Sequence, residues 1–238
     1  MKAEYVDHMG DDLTVVNAAR VSFDKESDWQ LDIVPDPDPD APYLGGVRHT
    51  VVESSLSDRD TKLINYLSSH GHFTPFTHPQ ITLRETVPVF VARQRFKHVI
   101  GFTYNEVSRR YVSDDPQFYN PLEWRSAPTD AKQGSGEALG ADEQQAVWYE
   151  YERAVTACFN VYKNMIDVDG VAPEQARMIL PQSMFTSYYV TGSLAAFARA
   201  YKQRIDKHAQ LEIQELAKEW DTVIRPLFPV SWEALTNG

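Results

Sequence analysis

The chain has 238 residues, 42% of them apolar and 12% aromatic, enough to bury a sizeable core and too apolar for wholesale disorder. Lys and Arg number 23 against 34 Asp and Glu, a net charge of −11, so unspecific grip on nucleic acid or an anionic membrane is not expected, and a bound anion needs a local basic pocket. The single cysteine, Cys158, excludes an internal disulfide framework and a cysteine-cluster metal site; no metal is expected.

The length suits one domain over residues 1–238. No run of about 18 apolar residues occurs and residues 1–12 are polar, so neither a membrane span nor a signal peptide is expected, and a reducing, cytoplasmic setting is. Residues 32–46, centred on Asp36-Pro-Asp-Pro-Asp40, read as an exposed acidic loop, because alternating prolines withhold backbone donors. Residues 60–70 read as a helix with Leu63, Ile64 and Leu67 inward and Gly71 as its C-terminal cap. A loop over 72–79 follows. Over 80–91, Ile81, Leu83, Glu85, Val87, Val89 and Val91 share one side of a period of two, which predicts a strand with Pro88 at an edge or bulge.

Residues 93–102 can turn helical, with Gly101 and Thr103 leaving the end open. Residues 126–141, rich in Gly, Ser, Ala and Asp, read as a mobile connection. Over 143–167, Trp148, Tyr151, Val155, Cys158, Phe159, Tyr162 and Met165 recur at spacings of three and four, the stripe of an amphipathic helix on which Cys158 is structural. A shorter helix lies between Pro173 and Pro181. A last long helix is predicted from Ser193 as N-cap to about Trp220, with Leu194, Phe197, Tyr201, Arg204, His208, Leu211 and Glu215 on one face.

Chemistry concentrates between Arg93 and Arg110, where Arg93, Arg95, Lys97, Arg109 and Arg110 are five of the 23 basic residues; even spreading would give about 1.7. Phe90, Phe96, Val99, Ile100, Phe102 and Tyr104 interleave with them, a mixture that suits a flat anionic ligand better than a solvated face. Arg204 and His208, four residues apart on the predicted helix, need partners: an internal acid such as Asp206 or Glu212, or, as favoured here, a bound anion.

The order of residues adds more. Phe90-Val-Ala-Arg-Gln94 followed by Asn105-Glu-Val-Ser-Arg-Arg-Tyr111 resembles the signature region of flavin-dependent thymidylate synthases. Asn17-Ala-Ala-Arg-Val-Ser-Phe23, Gly71-His-Phe-Thr-Pro-Phe-Thr-His78, Ala176-Arg-Met-Ile-Leu-Pro181 and Arg204-Ile-Asp-Lys-His-Ala-Gln210 are similar to four further blocks of that family, in family order over residues 17–210. Departures are present as well. The family's Arg-His-Arg triplet is Lys97-His98-Val99 here, Thr77 stands where the family has a Glu, and Ser193-Leu-Ala195 lacks an Arg.

The resemblance implies an α+β fold: a twisted, mainly antiparallel sheet flanked by helices, with a long C-terminal helix. It implies methylation of dUMP to dTMP, with methylenetetrahydrofolate as carbon donor, NADPH as reductant and FAD as hydride carrier, in a homotetramer with shared active sites. Position by position, it places Gln94, Arg95, Glu106, Ser108, Arg110, Arg177 and Arg204 at dUMP, and Ser22, Thr74, Lys97, His98, Val99, Ile100, Arg199 and His208 at FAD. His72 falls at the family's loop histidine near the flavin. Arg204 is expected to polarise the pyrimidine, Ser108 to position it without attacking, and His72 to orient or carry a proton. The departures leave open a flavin-dependent hydroxymethyl or alkyl transfer to a pyrimidine nucleotide, and an inactive nucleotide- or RNA-binding homologue.

Overall fold

Alternation of period two builds the centre of the molecule, seen in a computed structural model that describes residues 1–35, 50–111, 114–129 and 134–237. Strands β1 (Lys2–Met9), β4 (Gln80–Pro88), β5 (Phe102–Glu106) and β6 (Phe185–Ser193) form an antiparallel sheet in the order β1-β4-β6-β5. A separate antiparallel pair joins β2 (Gln30–Pro35) to β3 (Thr50–Ser55), so part of the expected acidic loop is strand; the rest of it, residues 36–46, lies outside the described residues.

In β4, Ile81, Leu83, Glu85 and Val87 are buried on one face, as the alternation requires. The strand stops at Pro88 instead of Val91, and β1 and β6 flank it, so it is central and not an edge. Proline is tolerated because its missing donor falls where the chain leaves the sheet for α3 (Val89–Arg95). That helix starts four residues before the expected one and ends at Arg95, so only residues 93–95 of the expected 93–102 segment are helical. Gly101, at φ +78°, turns the chain into β5. The partner strand β6 was not anticipated, although Thr186, Tyr188 and Val190 alternate inward along it.

Helices α1 (Asp12–Arg20), α2 (Asp58–Ser69), α6 (Leu194–Arg204), α7 (Leu211–Ile224) and α8 (Pro229–Thr236) pack around the sheet, and buried residues from Ala3 to Ala234 form one contiguous core. Helix α2 starts on the Ser57 side chain and ends in a Schellman arrangement: the amide of Gly71 (φ +69°) donates to Ser68 O at 3.1 Å and that of His72 to Leu67 O at 2.9 Å. Buried Asp12 accepts the free amides of Val230 at 2.8 Å and Ser231 at 2.9 Å, so a residue of α1 caps α8 from the far end of the chain.

The last long helix expected after Ser193 is two helices. Between them the Asp206 carboxylate accepts the His208 amide at 2.8 Å, a local bond that competes with helix continuation. The longest helix is α4 (Ala141–Asp167), in which Tyr162 is the one buried residue. Residues 126–141 are not simply a mobile connection. Among the described ones, the amides of Ser126 and Leu139 donate to Glu137 O and Trp124 O, each at 2.9 Å; residues 130–133 lie outside the description. Between α4 and β6, α5 (Pro173–Ala176) continues into a 3-10 turn over Arg177–Ile179. No helix among the described residues is long and apolar enough to cross a membrane.

A charged pair sits in the core. Glu85 of β4 and Arg95 of α3 meet at 3.1 Å with both side chains wholly buried. The Glu85 carboxylate also accepts Tyr188 Oη–H at 2.6 Å and Trp220 Nε1–H at 2.9 Å. The Arg95 guanidinium donates to Tyr104 Oη at 2.7 Å and lies 4.3 Å from the Phe102 ring centroid and 4.6 Å from that of Trp220. Phe102 reaches it because Gly192 faces it across the sheet; a Cβ there would stand 2.4 Å from the Phe102 ring.

Removing one charge should cost more than removing both, because the survivor stays buried without its counter-ion. Glu85→Leu is expected to destabilise the fold by about 3–5 kcal/mol, and Arg95→Met by less, since two neutral donors still serve Glu85. The double variant should lose less than the sum. Urea unfolding of the four proteins measures this, and additive losses would contradict it.

Candidate active site

The end of β5 and the turn after α5 enclose a cleft of about 540 Å³. Glu106, Ser108 and Arg110 line one wall, Arg177 with Leu180 and Pro181 the other, and Thr186 of β6 contributes to its lining. Hydrogen bonding sets the first wall: the Val107 amide donates to Ser187 O at 2.9 Å, Thr186 Oγ1–H donates to Glu106 at 2.6 Å, and Arg110 Nε–H donates to Ser108 Oγ at 3.2 Å. The Arg110 guanidinium lies 5.0 Å from the Tyr111 ring centroid. Arg177 Nε–H donates to Glu174 O at 3.1 Å. Neither guanidinium has a carboxylate partner among the described residues. Two arginines with open forks beside a hydroxyl and a carboxylate can hold an anionic group and hydrogen-bond a polar ring or sugar attached to it.

A second group lies against the core pair. Arg204, the last residue of α6, donates Nε–H to His98 Nε2 at 2.8 Å, and Tyr104 Oη–H donates to His98 O at 2.7 Å. Burial first, then the charges of Arg204, Arg95 and Arg199, push the His98 imidazole down to about 4. His98 is therefore neutral near pH 7 and acts as an acceptor. Burial and Arg95 lower the Arg204 pKa from its ordinary value. Arg199 Nη2–H donates to Ile100 O at 2.5 Å, beside the exposed side chains of Lys97, Val99 and Ile100. Gln94 hydrogen-bonds Gln210, whose Nε2–H donates to Glu212 at 2.7 Å; Glu212 is also paired with Arg125 at 2.7 Å.

Of the residues expected at a nucleotide, Glu106, Ser108, Arg110 and Arg177 share the cleft. Gln94 and Arg204 do not line it within one chain. Arg95 is corrected: it is 0% exposed and bound to Glu85, so it cannot touch a ligand. Arg204 and His208 are not on one helix face, since α6 ends at Arg204 and exposed His208 follows in the connecting turn; the partner of Arg204 is His98, neither Asp206 nor Glu212. His72 and Thr74 are exposed beyond α2, with the His72 ring 6.0 Å from Tyr66, and Ser22 is exposed after α1. Sequence reasoning missed Thr186, which only the β6 register brings to Glu106, and the anchoring role of Tyr104. The alternation over 185–190 was the available signal for the first.

Similarity to known proteins extends over nearly the whole chain. The family model for thymidylate synthase complementing protein matches residues 4–230. A protein named flavin-dependent thymidylate synthase from Thermosipho africanus is 34% identical over 232 residues, covering 96% of this chain and 88% of that protein. One of the same name from Kosmotoga olearia is 32% identical, covering 98% and 88%. Among solved structures, the UMP/dUMP methylase PolB from Streptomyces cacaoi bound with 5-Br UMP superposes with a TM-score of 0.77 at 27% identity, covering 99% of this chain and 93% of that one. The same methylase bound with 5-Br dUMP gives 0.76 at 30% identity, covering 99% and 94%.

Because the folded value of His98 lies below the ordinary 6.5, the unfolded chain takes up the proton first. The folded state therefore loses stability as pH falls from about 6.5 towards about 4, and gains nothing further above that window. His98 ring resonances should not titrate between about pH 5.5 and 8, and His98→Asn should flatten the fall in urea midpoint between about pH 7 and 5. A His98 titration midpoint near 6.5 would contradict the arrangement.

Proposed function

This chain belongs to the thymidylate synthase complementing protein family, the flavin-dependent thymidylate synthases, and from that premise we propose that it converts dUMP to dTMP with methylenetetrahydrofolate as carbon donor and NADPH as reductant. The observation that carries the reading is the convergence of Glu106, Ser108, Arg110 and Arg177 on one cleft in which neither arginine is paired to a carboxylate among the described residues.

Arg110 and Arg177 bind the nucleotide phosphate, and Ser108, fixed on the Arg110 Nε–H, orients the nucleotide without attacking it. Arg204 points Nε–H at neutral His98, which leaves its Nη donors for a uracil carbonyl, where they stabilise negative charge developing on the ring. The one thiol, Cys158, is half-buried on α4 and lines neither the cleft nor the His98 group. Uracil activation therefore rests on hydrogen bonding and charge.

The residues present suit a flavin. Lys97 and Arg199 offer cations for its pyrophosphate, and Val99 and Ile100, 66% and 72% exposed, offer aliphatic cover beside them. Bound there, FAD supplies the hydride. Ser22, Thr74, His72 and His208 belong to the same site when it is closed by neighbouring copies of the chain. Self-association is supported by α4, a 27-residue helix with Tyr162 alone buried and Tyr149 66% and Val161 45% exposed, and by the absence of Arg204 from the cleft within one chain. In a homotetramer, Arg204 of one copy can complete the cleft of another. The likeness to a methylase crystallised with both UMP and dUMP analogues favours a second reading, in which UMP is also a substrate.

Purified protein given FAD, NADPH, methylenetetrahydrofolate and either nucleotide decides between these by product mass: dTMP, 5-methyl-UMP, a hydroxymethyl product, or none. Arg204→Ala is expected to lower kcat by about a hundredfold, the scale for loss of one stabiliser of developing negative charge. Near-normal turnover in that variant would refute the role.

A further inference from the structure

The largest cavity among those described outside the cleft has no part in the scheme above. It measures about 620 Å³ and lies between the end of α1 and the outer face of α2. Arg59, Lys62, Leu63 and Tyr66 fall on that outer face at spacings of three and four, while Asp60, Ile64 and Leu67 face the core. Ala19 and Phe23, the latter 77% exposed, complete an apolar wall, and Lys25 stands at the rim. Arg20 also borders it, but its charge is taken up by Asp60, which accepts Arg20 Nε–H at 3.0 Å along with the hydroxyls of Ser27 and Ser57.

Lys25, Arg59 and Lys62 are different. None has a carboxylate partner among the described residues, in a chain of net charge −11. Arg59 and Lys62, one turn apart on that face, set two cations along one side of the cavity with Lys25 at its rim, a row that suits a ligand carrying more than one carboxylate. An aromatic series leads out of the cavity: Tyr66 stacks on His70 with centroids 4.0 Å apart, and the His72 ring lies 6.0 Å from Tyr66. His72 is the residue assigned above to the flavin side of the site. A ligand served by this surface is elongated, with a flat head and body and an anionic tail. A folate with an oligo-γ-glutamyl chain has that shape and charge order.

We propose that the cavity between α1 and α2 binds the oligo-γ-glutamyl tail of the folate carbon donor, with Arg59, Lys62 and Lys25 meeting its carboxylates and Tyr66 and Phe23 its aryl body. The inference rests on the methyl-transfer reading above and adds the form of donor the protein selects. The tail contacts act on donor affinity and leave the chemistry at the uracil unchanged.

The test uses the FAD-loaded protein and methylenetetrahydrofolate as mono- and triglutamate. The KM for the triglutamate is expected to be about tenfold lower, the size that two exposed ion pairs give. Arg59→Glu with Lys62→Glu should abolish that preference while leaving kcat and the KM for dUMP unchanged. The charge-neutral pair Arg59→Gln and Lys62→Gln should reduce it, and serves if the reversal does not fold. Equal KM values in the unaltered protein, or a preference that survives in the variants, would overturn the proposal. Equilibrium dialysis with tetrahydrofolate triglutamate and monoglutamate reads the cavity without turnover. Tighter triglutamate binding by a protein that makes no dTMP from any donor removes the methyl-transfer reading and keeps the cavity assignment. dTMP formed equally well from both donors does the reverse.

Discussion

The buried pair of Glu85 and Arg95 is the constraint around which the rest is arranged. A charge in the core is tolerated when the groups around it answer it, and here they come from five elements: Glu85 from β4, Arg95 from α3, Tyr104 from β5, Tyr188 from β6 and Trp220 from α7. Arg95 Nη2 has no hydrogen-bond partner among the described residues, and the guanidinium that carries it lies against the Phe102 and Trp220 rings. Sheet and helices are thereby tied at one point. The same point reaches the His98–Arg204 group, because Tyr104 bridges Arg95 to the His98 carbonyl and the Arg95 charge helps hold His98 neutral. A neutral His98 can accept Arg204; a protonated one could not.

Positive charge is sorted by whether it has an acid beside it. Arg20 with Asp60, Arg125 with Glu212 and Arg225 with Asp221 bind parts of the fold to each other. Arg110, Arg177, Arg59 and Lys62 have no such partner among the described residues and lie at cavities. An acidic protein can bind anions in this way: its net charge weakens nonspecific attraction, while open guanidinium forks keep their donors for a ligand of matching geometry.

Much of the fold was legible where one physical pattern ruled. The period of two over residues 80–87 placed Glu85 on the buried side, and the three–four spacing after 143 located α4. The ordered blocks also named four residues that share the cleft. Legibility failed where a local bond or a distant strand decided the outcome. The Asp206 side chain captures the His208 amide and ends a helix that composition would have continued. Strand β6 brings Thr186 to Glu106, a pairing across 80 residues of chain that no window of sequence contains.

By itself, the sequence determined which side chains are chemically able to bind a nucleotide and which stretches carry a periodic apolar face, because both are properties of residue type and local spacing. The tertiary structure alone decided which cations are free. Arg95 and Arg110 look equivalent in the chain, yet one is spent on Glu85 at zero exposure and the other opens into a cleft. Whether a guanidinium is available depends on which carboxylate the folded backbone sets against it, and that is fixed by contacts between segments far apart in sequence.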